Sequence, residues 1–91
     1  MLLKVDAARL RAFLSANEDC SDLGGEEYIA DLYDAARPMT LDISLKGGKA
    51  ELLAAAYLEY DAEQDGWYMG EQIADEDEIG AALDEAIGSN G

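Results

Sequence analysis

The hydrophobic period of the chain changes at Pro38, and this change constrains the fold more than any other feature. After the proline, apolar and polar residues alternate from Met39 to Leu45, which is typical of a strand with one buried face. Gly47-Gly48 then allows the positive backbone angles of a tight hairpin turn. Because an isolated strand is not stable, the pattern predicts an antiparallel sheet.

The stretch after this turn, residues 49–61, is compatible with a strand or a helix. Its Ala, Leu and Glu residues favour helix by intrinsic propensity, whereas every second position from Ala50 to Tyr60 is apolar or alanine. The glycine turn before it and Asp65-Gly66 after it favour a strand. Residues 67–73 then read as a third strand.

Two helices are predicted before Pro38. Asp6 is a suitable N-cap for the first, which should end near Asn17. Residues 18–25 read as a loop. The second helix is expected over residues 26–37, because its apolar residues recur at helical spacing and Pro38 disfavours continuation. That apolar stripe consists of Ile29, Leu32, Tyr33 and Ala36.

A last helix should begin at Asp75, with Glu78 as its capping-box partner, and end at Gly88. The sequence therefore predicts one compact α+β domain over residues 1–91. Its expected order is two N-terminal helices, a three-stranded antiparallel sheet and a C-terminal helix.

Acidic residues greatly outnumber basic ones, with 21 Asp and Glu against 6 Lys and Arg and a net charge of −15. Residues 50–91 hold twelve of the acidic residues and none of the basic ones. Such a charge disfavours direct binding to nucleic acid and attracts basic surfaces. An apolar fraction of 49% indicates that the chain nevertheless folds.

Enzyme chemistry is not indicated. The sequence has no histidine, which removes Ser-His-Asp and Cys-His catalysis and histidine-ligated zinc. Cys20 is the single cysteine, so no internal disulfide forms, which is typical of a reducing compartment. We expect a cytoplasmic, non-catalytic protein without a cofactor, and no apolar run approaches the length of a membrane span.

Carboxylates on rigid elements can imitate a row of phosphates and so attract a nucleic-acid-binding groove. In size, acidity and α+β pattern the chain resembles phage-encoded DNA mimics, including anti-CRISPR and anti-restriction proteins. The resemblance implies an inhibitor whose partner is the basic surface of a nucleic-acid-binding protein or complex. The candidate partner-binding carboxylates are Glu59, Asp61, Glu63, Asp65, Glu71, Asp75, Glu76, Asp77, Asp84 and Glu85.

Two alternatives stay open. Residues 61–72 resemble an EF-hand calcium loop, with Asp61, Glu63, Asp65 and Gly66 in place but Gln72 where a bidentate Glu belongs. A hairpin turn explains the same residues. The acidity could also reflect adaptation to strong salt, in which case the charge serves solubility and says nothing about partners.

Overall fold

The computed structural model describes residues 1–90, with the side chains of residues 1–88. Two helices pack with one five-stranded antiparallel sheet, whose strands lie side by side in chain order. The helices are α1 (Ala7–Ala16) and α2 (Glu76–Asn90), and the strands are β1 (Cys20–Gly24), β2 (Glu27–Leu32), β3 (Met39–Ser44), β4 (Glu51–Asp61) and β5 (Gly66–Gln72).

The predicted arrangement of two N-terminal helices and three strands was wrong. Residues 26–37 form β2 and a turn, not a helix, because the buried positions follow period two. Tyr28, Ala30 and Leu32 are buried, whereas Ile29 is half-buried and lies on the opposite face. The residues predicted as a loop contain β1, which is exposed over nearly all its length and so has no apolar alternation.

The N-caps of both helices agree with the sequence, but the predicted capping box does not form among the described residues, because Glu78 accepts a hydrogen bond from the Tyr57 hydroxyl and none from the Asp75 backbone. Asp6 Oδ1 accepts hydrogen bonds from the backbone N–H groups of Ala8 and Arg9, at 2.7 and 3.4 Å. Asp75 Oδ1 does the same for the second and third residues of α2, at 3.0 and 3.3 Å. The predicted end of α2 at Gly88 was wrong, since the helix continues to Asn90.

Both helices pack on the same face of the sheet. Leu41 and Ile43, at the centre of β3, are fully buried beneath Leu10 of α1 and the apolar side of α2, represented by Ile79 and Leu83. No helix formed by residues 1–90 covers the other face, which we call the open face. None of the described helices has the length and hydropathy needed to cross a membrane.

The β4–β5 hairpin projects beyond the rest of the sheet. Pairing between β3 and β4 ends at Met39 and Tyr57, whereas pairing between β4 and β5 continues to Asp61 and Gly66. At the other end of β4, where β5 does not reach, Leu2 pairs with Glu51. The molecule is correspondingly elongated, measuring 42 × 25 × 25 Å.

Candidate acidic binding surface

Two of the predicted carboxylates hold the tip of the β4–β5 hairpin in place. Asp61 Oδ1 accepts hydrogen bonds from the backbone N–H groups of Glu63 and Gln64, at 2.9 and 3.4 Å. The hydroxyl of Tyr60 donates to Asp65, which has a positive φ of 51°. Glu63 is exposed at the turn, so of these three side chains it is the one without a structural hydrogen bond.

The hairpin geometry does not match an EF-hand. The residues after the turn form strand β5. In an EF-hand, this part of the loop carries the last calcium ligand and is followed by a helix. At about 3.3 Å per residue, Gln72 lies roughly 20 Å along the strand from Gly66. Among the described residues no group of three or more His, Cys, Asp or Glu side chains is arranged to hold a metal ion. The simple hairpin turn accounts for this segment.

Three of the predicted residues line one groove beside α2. Glu76 and Asp77 are exposed in its first turn, where the partial positive charge of the helix end stabilises them. Together with Asp84, they line a groove between α2 and residues 1–5 of the N-terminal segment. Lys4 lines the same groove. Asp75, in contrast, caps the helix, and its carboxylate is already engaged.

Glu85 belongs to a different acidic group. It lines a cavity of about 90 Å³ on the other flank of α2, together with Asp19 and Asp34; Asp31 also borders this cavity, but its carboxylate is hydrogen-bonded to Thr40 and Tyr33 on the open face. Sequence reasoning missed these three aspartates. Asp31 and Asp34 fall within the predicted helix over residues 26–37, which is not formed, and Asp19 falls within the predicted loop. No period or motif in the sequence brings them next to Glu85.

The last two predicted residues lie on β4 and on the edge strand β5. Glu59 shares the helix-facing side of β4 with Tyr57, beyond the helices, and pairs with Tyr68 across the hairpin. The negative charge of Glu59 raises the pKa of the Tyr68 hydroxyl. Glu71 is exposed on β5. The ten predicted residues therefore form separate groups at the hairpin, at α2 and at the cavity, not one row.

A further carboxyl pair lies on the open face, where Glu27 of β2 is close to Asp42 of β3. Hydrogen bonding to Asp42 and repulsion by its negative charge raise the pKa of Glu27. Asp42 Oδ1 is buried and has no hydrogen-bond partner among the described residues. Nearby, the Thr40 hydroxyl donates to Asp31 Oδ1 at 2.6 Å.

Little of this negative charge is neutralised inside the protein. Within the part of the chain that the structure describes, the ion pair between Arg11 and Glu26, at 2.9 Å, is the one salt bridge. Both of its side chains are about half exposed, so it contributes little to stability. Several of the other carboxylates accept hydrogen bonds from backbone N–H groups or hydroxyls instead.

Comparison with known proteins gives no relative. No protein-family model, curated protein sequence or solved structure matches this chain.

Proposed function

We propose that this protein is a non-catalytic acidic binding protein that inhibits a nucleic-acid-binding protein by occupying its basic surface. The observation that carries the proposal is the charge balance. The chain has a net charge of −15, and its described residues form a single ion pair. Apart from Glu26, no described carboxylate is paired with a Lys or Arg side chain, so a partner with a basic surface can supply the missing positive charge.

The mechanism is competitive. Glu76, Asp77 and Asp84 project from the ordered backbone of a helix, and the backbone N–H of Glu63 is held by Asp61 at the hairpin tip. Because the backbone that carries these carboxylates is already ordered, binding costs less conformational entropy, so more of the electrostatic attraction is retained as affinity. They release the same counterions from the partner that nucleic acid would release, which makes binding weaker as salt rises.

The test is a pull-down with tagged protein from a lysate of the source organism, washed at increasing salt and challenged with duplex DNA. We expect one basic nucleic-acid-binding protein to be retained, and to be released both by salt and by DNA. Capture that DNA does not reverse would contradict the proposal, and so would failure to retain any such protein.

Two charge-matched variants locate the surface. Glu76→Gln with Asp77→Asn removes two charges from the α2 groove. Glu18→Gln with Glu51→Gln removes two exposed charges elsewhere, neither of which accepts a hydrogen bond from a described residue. The first variant should weaken capture and reduce the salt dependence by about one power of salt concentration per lost contact. Equal effects of both variants would show that total charge matters and not this groove.

A further inference from the structure

Three aromatic rings form a cluster on the open face. The ring of Trp67 lies 5.2 Å from that of Tyr33 and 5.4 Å from that of Tyr60, both in tilted geometry. Trp67 is 45% exposed and Tyr60 is 50% exposed, and the neighbouring Met69 is 68% exposed. Large, partly exposed aromatic side chains of this kind are frequent centres of protein interfaces.

On the helix-covered face of the sheet, an arginine of this protein lies on an aromatic ring whose hydroxyl is bonded to a carboxylate. The guanidinium of Arg37 lies 3.5 Å from the centre of the Tyr57 ring. The hydroxyl of Tyr57 in turn donates to the carboxylate of Glu78. A cation on a ring face is attracted by the electron-rich ring, and the carboxylate at the edge of the ring adds to that attraction.

The open face repeats the ring and the carboxylate but lacks the cation. Tyr60 donates to Asp65, and Tyr33 donates to Asp31 at 3.5 Å. Across residues 1–88, no guanidinium or ammonium group stacks on either of these rings or on Trp67. Each tyrosine thus has a ring and a carboxylate like those around Arg37, and no cation among the described residues stacks on it.

We propose that this cluster of Tyr33, Tyr60 and Trp67 binds arginine side chains of the partner protein. Arginine fits better than lysine, because its planar guanidinium stacks on rings while its N–H groups reach a carboxylate. The inference rests on the proposed function, which requires a partner with positive charge. It adds the surface of this protein that contacts the partner and the type of partner residue that binds there. A second copy of the chain is disfavoured as the occupant, since each copy carries a net charge of −15.

Nona-arginine and nona-lysine peptides test this directly, in buffer with about 150 mM salt. Trp67 is the only tryptophan in the sequence, so its fluorescence reports on the cluster. We expect nona-arginine to change this emission and to bind about fivefold more tightly than nona-lysine by calorimetry. Trp67→Leu should remove that preference while leaving nona-lysine affinity unchanged. The control Leu23→Ala, at an exposed apolar residue of β1, should change neither.

The outcomes separate this inference from the proposed function. If both peptides bind with equal, salt-sensitive affinity and Trp67 emission does not change, the inference about the aromatic cluster is wrong, whereas the proposed acidic binding function is retained. No binding of either peptide at low salt would overturn both. If sedimentation shows a dimer that Trp67→Leu dissociates, the open face is covered by a second copy and the inference is wrong. Tyr60→Phe, which removes the hydroxyl that orients Asp65, provides a second variant if Trp67→Leu fails to fold.

Discussion

Two neighbouring truncations, Tyr28→Ala and Ile29→Ala, test whether residues 27–32 form a strand. In the structure Tyr28 is 7% exposed and packs under the helices, whereas Ile29 is half-buried on the open face. The alternative helix over residues 26–37 would reverse these roles, since Ile29 begins its apolar stripe. The strand therefore predicts that Tyr28→Ala is much the more destabilising change.

The magnitudes follow from burial. Removing a fully buried aromatic side chain costs about 3–5 kcal/mol, because a cavity is left in addition to the lost transfer free energy. Truncating the half-buried Ile29 should cost about 1 kcal/mol, as part of its surface already contacts water. Tyr28 also accepts a long hydrogen bond of 3.4 Å from Arg11, whose loss adds little.

Urea unfolding followed by far-ultraviolet circular dichroism measures both costs. With a urea dependence of about 1.5 kcal/mol per molar, Tyr28→Ala should lower the midpoint by about 2–3 M and Ile29→Ala by about 0.7 M. If one variant is already unfolded without urea, its loss of unfolding free energy is taken as the larger of the two. The reasoning is refuted if Ile29→Ala lowers the midpoint more than Tyr28→Ala does.

Three further predictions concern charge. Added NaCl should raise the melting temperature and reach a plateau near about 0.5 M, where repulsion is screened; a salt-adapted domain would need molar KCl to fold. Because the pKa of Glu27 is raised on folding, the Glu27 carboxyl holds its proton more tightly in the folded state than in the unfolded chain. The free energy of unfolding should therefore fall as pH rises above 4.5. Glu27→Gln should reduce that slope in pH-dependent urea titrations, and Glu18→Gln should reduce it less. Burial raises the pKa of Cys20 to about 11, so its thiol should react with a disulfide reagent at pH 8 about a hundredfold more slowly than free cysteine.

The elements that could be predicted are those with strong local signals. The N-caps Asp6 and Asp75 and the alternation of β3 depend on neighbouring residues only. Residues 49–61 satisfied two periods at once, and the turns on either side correctly favoured the strand, which the structure gives as β4.

The failures arise where tertiary structure overrides local pattern. Ile29, Leu32, Tyr33 and Ala36 fit a helical stripe by coincidence, while packing selects Tyr28, Ala30 and Leu32. Edge strand β1 buries almost nothing, so hydrophobic pattern does not reveal it.

The negative charge of the candidate surface could be predicted from the sequence, but the arrangement of its carboxylates could not. Composition alone gives the excess of carboxylates. Which of them converge depends on sheet order and on the helix flank that each residue occupies, and neither follows from spacing along the chain. Asp61, Asp65 and Asp75 turned out to accept hydrogen bonds that hold a turn or a helix end. The cluster around Trp67 joins residues more than thirty positions apart in sequence.

Competition for the captured partner tests the central claim most directly. The affinity of that partner for duplex DNA is measured by fluorescence anisotropy at fixed salt, with increasing amounts of this protein. We predict that the apparent dissociation constant for DNA rises linearly with the concentration of this protein, because both ligands need the same basic surface. An unchanged dissociation constant, with DNA and this protein bound to the partner at the same time, would contradict the account.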